Sequence, residues 1–160
     1  VASTRLDPRG VVVSCPACSR ANRLTYAALR RRTRCAHCKG ALPPPAAPAE
    51  APDTLSFDAA YQTSELPLVV DFWAPWCGPC RMVAPELERV AHDMSGEALV
   101  VKVNTDALTD VAGRFRIRSI PTLAVLHRGR EVWRTAGARS AAEIASLVRQ
   151  ALADDARRAS

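Results

Sequence analysis

The sequence predicts an α/β fold, a central mixed β-sheet flanked by helices, preceded by a small cysteine-rich segment. Two observations carry this. Beyond residue 53, apolar runs of strand length alternate with stretches of helical period. Before it, residues 1–42 hold four cysteines, and residues 43–52 hold five prolines and no large apolar side chain. Three parts are therefore expected: a ribbon-like metal-binding domain at 1–42, a Pro/Ala-rich linker at 43–52, and an α/β domain at 53–160.

The linker composition favours polyproline II, a semi-rigid spacer of roughly 30 Å when extended. A first helix is expected over residues 56–61 with Ser56 as its N-cap. Leu68–Trp73 reads as a buried strand, being β-branched and aromatic with one charge, Asp71. After Cys77, the apolar residues Val83, Leu87, Val90 and Met94 are spaced 4, 3 and 4, one face of a helix. Pro79 suits its first turn, and Pro85 is expected to kink it. Residues 98–103 read as a second buried strand, and residues 107–115 as a short helix. Thr122–His127 and residues 131–134 flank Arg128-Gly129-Arg130, a hairpin. Ser140 with Glu143 three residues on opens the last helix as a capping box. Its apolar face is Ile144, Leu147, Val148 and Ala151. A hairpin closing a strand–helix alternation makes the sheet mixed.

Apolar content of 48% and charged content of 24% are those of a globular chain. The longest apolar run falls far short of the roughly 20 residues of a membrane span, so no membrane association is expected. Residues 1–10 lack the apolar stretch of a signal peptide, which makes the cytoplasm the expected location. Residues 1–45 carry nine Lys/Arg against one acid, +8; the other 13 basic and 15 acidic residues give −2. The basicity thus belongs to the N-terminal part.

The chemistry centres on Trp76-Cys77-Gly78-Pro79-Cys80, between the first strand and the long helix. A Cys-x-x-Cys pair at such a junction reads as a dithiol/disulfide redox site. The helix N-terminus favours a thiolate at Cys77, and both sulfurs share one side of the first turn. Cys77 is therefore the expected, exposed nucleophile, and Cys80 the thiol that resolves the mixed disulfide. The competing reading is a metal knuckle or a static disulfide. It lacks further ligands, since no other cysteine lies in this part and His92 and His127 are isolated.

Around the pair stand Val70-Asp71-Phe72-Trp73-Ala74, then Val101-Lys102-Val103-Asn104 and Ile120-Pro121-Thr122. In order and spacing the stretch 53–153 resembles the thioredoxin family. That resemblance implies the thioredoxin fold and a cis peptide between Ile120 and Pro121 facing the dithiol. It further implies that Ile120 hydrogen-bonds the substrate backbone. Asp71 would serve as general base for Cys80, with Lys102 as its electrostatic neighbour. Trp76, Gly78, Pro79, Pro121 and Gly137 would shape the client-docking surface, with Trp73 as support. For Asp71 a structural acid paired with Lys102 is the plainer alternative. Pro75 and Arg81 depart from the commonest residues of the family at those positions.

Cys15-Pro16-Ala17-Cys18 and Cys35-Ala36-His37-Cys38 form a C-x2-C-x16-C-x2-C set, the spacing of a four-thiolate zinc site. So small a segment is expected to lack a core of its own and to fold around one structural Zn2+. Two disulfides or two further redox pairs are the alternatives. Together with the downstream motifs this set resembles the bacterial thioredoxin-2 group. Arg30-Arg31-Arg32 with Arg34 reads as a solvated basic face beside a negatively charged zinc centre, since only Tyr26 is aromatic there and nucleic-acid binding is not expected.

The function expected is that of an enzyme, a monomeric protein-disulfide reductase. It would act on disulfide-containing client proteins and be regenerated by a thioredoxin reductase, with no organic cofactor of its own. The rival is a zinc-dependent redox sensor, or a binding module whose N-terminal ribbon recruits a partner. A disulfide oxidase or isomerase would require an oxidising compartment.

Overall fold

The computed structural model describes residues 4–160; residues 1–3 of the expected ribbon lie outside the described residues. The elements run β1 Arg5–Asp7, β2 Gly10–Ser14, β3 Ala21–Thr25, a 3-10 turn at Tyr26–Ala28, β4 Thr33–Arg34, β5 Ala41–Leu42 and β6 Ala49–Glu50. Then come α1 Thr54–Thr63, β7 Leu68–Trp73, α2 Gly78–Asp93, β8 Leu99–Asn104, α3 Thr109–Arg114, β9 Thr122–His127, β10 Arg130–Ala136 and α4 Ala141–Ala159.

Eight strands form one mixed sheet in the order β10-β9-β7-β8-β6-β1-β2-β3, and β4 pairs with β5 apart from it. β7, β8, β6 and β1 run parallel to one another, while β9, β10, β2 and β3 add antiparallel strands on either side. One face buries Val70, Phe72, Val101 and Val103 against Phe57 of α1 and Val111 of α3. The other buries Val69, Val100, Leu123 and Val125 against Val83, Leu87 and Val90 of α2 and Ile144 and Val148 of α4. β7 is covered on both faces, which is why its sequence is almost unbroken in apolar residues.

Several boundaries differ from the sequence reading. Helix α1 starts two residues earlier than expected and its cap stands three residues earlier. Asp53 is its cap, the Asp53 carboxylate accepting from the Ser56 N–H at 2.8 Å. Ser56 lies inside the helix, whereas Asp53 stands where the chain is still extended. Helix α3 is confined to Thr109–Arg114, because Arg116 turns to a φ of 53° just after it. Strand β10 is longer than residues 131–134, a bulge between Glu131 and Trp133 absorbing one residue. Helix α2 runs through Pro85 without ending. Ser140 caps α4 as its pattern with Glu143 predicts, accepting from the Glu143 N–H at 3.2 Å.

The largest difference is the 43–52 segment, which is not a free spacer. Ala49–Glu50 is a sheet strand, parallel to both β1 and β8, with Ala49 fully buried. Pro44 packs over Gly96, and its carbonyl accepts from the Ser95 hydroxyl at 3.1 Å. The apolar residues of the N-terminal part join a core shared with the rest of the chain. Leu6, Val11, Leu24, Tyr26, Leu29 and Leu42 are buried in the same cluster as Phe57, Leu66 and Leu68. Its few apolar residues suffice because they complete the neighbouring domain's core.

Candidate active site and four-cysteine cluster

Cys77 is the N-cap of α2, with Gly78 and Pro79 in the first turn, where proline's missing N–H leaves no bond unmade. Its Sγ accepts from the Cys80 N–H at 3.2 Å, and the two sulfurs are joined as a disulfide. Expected to be exposed, Cys77 is only 4% exposed in this form. Its sulfur is tucked against Cys80 and lies 3.8 Å from the Ile120 carbonyl oxygen. The exposed member is Trp76, at 68%. Its indole N–H donates to Asp106 at 3.0 Å, holding the ring beside the disulfide. The Arg81 guanidinium donates to the Pro75 carbonyl at 2.8 Å and so braces the loop before the dithiol.

The Ile120–Pro121 peptide is cis, and the Pro121 carbonyl accepts from the Gly137 N–H at 2.9 Å. Gly137 has a φ of 94°, which favours glycine. Trp76, Thr105, Ile117, Arg118 and Ile120 line a groove of about 410 Å³ alongside the disulfide. The chain thus brings Trp76, Cys77, Gly78, Pro79, Cys80, Ile120, Pro121 and Gly137 to one end of the sheet.

Asp71 lies on β7, fully buried, and neither carboxyl oxygen has a hydrogen-bond partner among the described residues. Burial pushes its pKa up to about 7; Lys102 pulls it down and Glu50 pushes it further up. Lys102 is directly opposite Asp71 on β8. Its Nζ, however, lies 4.0 Å from a Glu50 oxygen and 4.6 Å from the centre of the Trp73 ring. The simple alternative of an Asp71–Lys102 ion pair is therefore not what the structure contains.

At the other end of the chain, Cys15, Cys18, Cys35 and Cys38 have their sulfurs all within 4.8 Å of one another. The Cys15–Cys38 and Cys18–Cys35 separations are both 3.7 Å. A tetrahedron of sulfurs about 2.3 Å from a central Zn2+ has edges of about 3.8 Å, so the cluster fits that ion. The two pairs are built alike. In each, the first cysteine's N–H donates five residues on, to Arg20 or Gly40, and its carbonyl accepts from Ser19 or Lys39. Ser19 and Lys39 take φ values of 65° and 63° to close these turns. Hydrogen bonds from the backbone N–H of Cys38 and the amide of Asn22 pull the Cys35 thiol down to about 5. The Arg20 N–H favours a Cys18 thiolate, yet burial and the surrounding sulfurs outweigh it and push Cys18 up to about 11. Four thiolates this close need a divalent cation to coexist.

A family model for thioredoxin matches residues 48–150. The chain belongs to the thioredoxin family. Thioredoxin 1 of Chlorobaculum tepidum is 49% identical over 83 residues, 52% of this chain and 82% of that protein. A thioredoxin of a Synechocystis species is 45% identical over 97 residues, 61% of this chain and 91% of that protein. Among solved structures, chloroplastic thioredoxin z superposes with a TM-score of 0.58 at 36% identity, over 63% of this chain and 91% of that one. A Halobacterium salinarum thioredoxin variant superposes with a TM-score of 0.60 at 28% identity, over 66% and 91%. The chain has the thioredoxin fold and is a thiol–disulfide oxidoreductase with general disulfide-reductase activity. The family match begins at residue 48, so the four-cysteine cluster lies outside it.

Three side chains at these sites escaped the sequence reading. Asp106 holds the Trp76 ring, Asn22 bridges Cys35 and the Ala36 N–H, and Glu50 holds Lys102. None carries a local signal: each acts on a residue brought near only by folding. No described helix is long and apolar enough to cross a membrane.

Proposed function

We propose that this thioredoxin reduces disulfides in client proteins, with Cys77 as nucleophile, Cys80 as resolving thiol and Asp71 as the base for Cys80. The observation that carries it is the dithiol at the start of α2, above a sheet that holds a buried, unpartnered carboxyl. In the reduced enzyme the Cys77 thiolate attacks a client disulfide. One client sulfur leaves as thiolate and the other stays bonded to Cys77. Asp71 takes the Cys80 proton, through a water. The Cys80 sulfur then attacks Cys77, the Cys77–Cys80 bond forms, and the second client thiolate leaves. The client gains two electrons and the dithiol loses two.

The groove beside Trp76 receives the client chain, with Ile120 offering backbone hydrogen bonds, Pro121 and Gly137 shaping the floor, and Gly78 and Pro79 leaving room over the sulfurs. A thioredoxin reductase drawing on NADPH regenerates the dithiol. The ribbon carries one structural Zn2+ on Cys15, Cys18, Cys35 and Cys38, as in the thioredoxin-2 group, and the ion neutralises and ties together the four thiolates. Such thiolates beside a Gly-Pro dithiol suit a reducing compartment, the cytoplasm. The protein works as a monomer: among the described residues only Leu55, Trp76 and Met82 are large hydrophobic side chains left exposed.

The test is trapping. Cys80→Ser should accumulate mixed disulfides with clients and Cys77→Ser should not. Full insulin-reducing activity in Cys77→Ser would remove Cys77 from the nucleophile's role.

A second reading, a redox sensor in which zinc loss alters the dithiol, is favoured by the sheet that the two parts share. Cys38→Ser separates the two, since Cys38 is the most exposed of the four ligands. Unchanged client turnover and an unchanged partner set in that variant would sink the sensor reading.

A further inference from the structure

Four charged residues stand in one row across the sheet. Arg5 of β1 is opposite Glu50 of β6, Glu50 opposite Lys102 of β8, and Lys102 opposite Asp71 of β7. Their signs alternate from the ribbon to the strand that precedes the dithiol. Directly opposed residues on neighbouring strands project from the same face. Val69 and Val100, two residues before Asp71 and Lys102, lie on the face covered by α2 and α4, so the row lies there too. Exposure falls along it, from 44% for the Glu50 side chain to 20% for Lys102 and none for Asp71.

Lys102 stands between two carboxyl groups and meets one of them. Its Nζ lies 4.0 Å from Glu50, while both oxygens of Asp71 stay without a hydrogen bond. Glu50 occupies the more exposed side of the row; burial pushes its carboxyl up while the Lys102 ammonium pulls it down, and that ammonium also lies over the ring of Trp73 on the Asp71 strand.

We infer that Glu50 is a positioning residue for the dithiol: by engaging the Lys102 ammonium it leaves Asp71 unpaired and free to take the Cys80 proton. The inference rests on the reading of Asp71 as that base. Among the described residues the other elements bring no competing charge to Asp71. β9 sets Leu123 opposite it. α2 buries Cys80, Val83, Leu87 and Val90 and none of its charged residues. The one buried acid of α4, Asp155, pairs with Arg130 and faces His127. Glu50 also acts directly, its negative charge favouring the protonated form of Asp71, against Lys102.

The experiment follows the Asp71 carboxyl carbon by NMR against pH in the oxidised full-length protein, together with the pH profile of mixed-disulfide release. Glu50→Gln should lower the Asp71 midpoint and move the release profile the same way, by about one pH unit, because the freed ammonium turns to the remaining carboxylate. Lys102→Gln should raise the midpoint. With both changes made, the effect of removing Glu50 should shrink to its direct part. Glu50→Asp keeps the charge and should leave the midpoint near that of the parent. If Glu50→Gln moves neither midpoint nor profile while Asp71→Asn abolishes the profile's limb, the role of Glu50 fails and the base stands. If Asp71→Asn keeps the limb, the base fails and the role of Glu50 with it. A uniform loss of rate in Glu50→Gln with an unmoved midpoint marks a merely structural residue and overturns the inference.

Discussion

An ionised carboxylate without a hydrogen bond in an apolar interior costs several kcal/mol, and the group keeps its proton instead. Asp71 therefore titrates near pH 7 in the folded chain, against 3.8 when exposed. Between those values the native state binds a proton that the unfolded chain has released. Stability must then fall as pH rises through that window, by up to about 1.4 kcal/mol per unit and about 4 kcal/mol in all. Urea denaturation of the oxidised protein from pH 4 to pH 8 should show this fall, and Asp71→Asn should remove most of it. An equal slope in the variant would assign the titration to other groups. Asp71 and the six cysteines were legible in the sequence because each is anomalous in place: a charge inside an apolar strand, thiols at fixed spacing. Glu50 was not legible. A lone acid among prolines and alanines carries no sign of the strand it will stand beside.

At the scale of the element, caps and close approaches decide more than composition does. Ser140 was readable as a cap because its pattern with Glu143 is local, and Ser140→Ala should lower stability by about 1 kcal/mol in a thermal melt. Gly10 is fixed by a neighbour instead: a Cβ there would lie 2.2 Å from the Leu24 carbonyl oxygen of the paired strand. Gly10→Ala should cost 2 kcal/mol or more, roughly the scale of an overpacked core, with amide exchange rising first in β2 and β3. β7 was legible to the residue because two covered faces demand a continuous apolar run. β6 was not, since two residues are too short for any alternation and the prolines around it point to an open chain. Its pairing comes from the partners on either side.

The molecule as a whole is less divided than its composition suggests. Tyr26 and Leu29 of the ribbon and Phe57 and Leu68 of the thioredoxin part are buried in one cluster. With zinc held as proposed, chelation should lower the midpoint of a single calorimetric transition, because the ribbon cannot melt without opening the shared core. A separate low-temperature transition for the ribbon would show the two parts to be thermally independent. The pairing of β1 along β6 also bears on solubility. A parallel strand such as β8 or β6 left at a sheet's rim offers bare N–H and C=O groups, an invitation to any passing strand. Here the ribbon hairpin occupies that rim and moves the boundary out to β3, beyond two antiparallel strands. The ribbon is in this sense a guard against polymerisation. Damage to its four cysteines should reveal itself as strand-mediated clumping at high protein concentration.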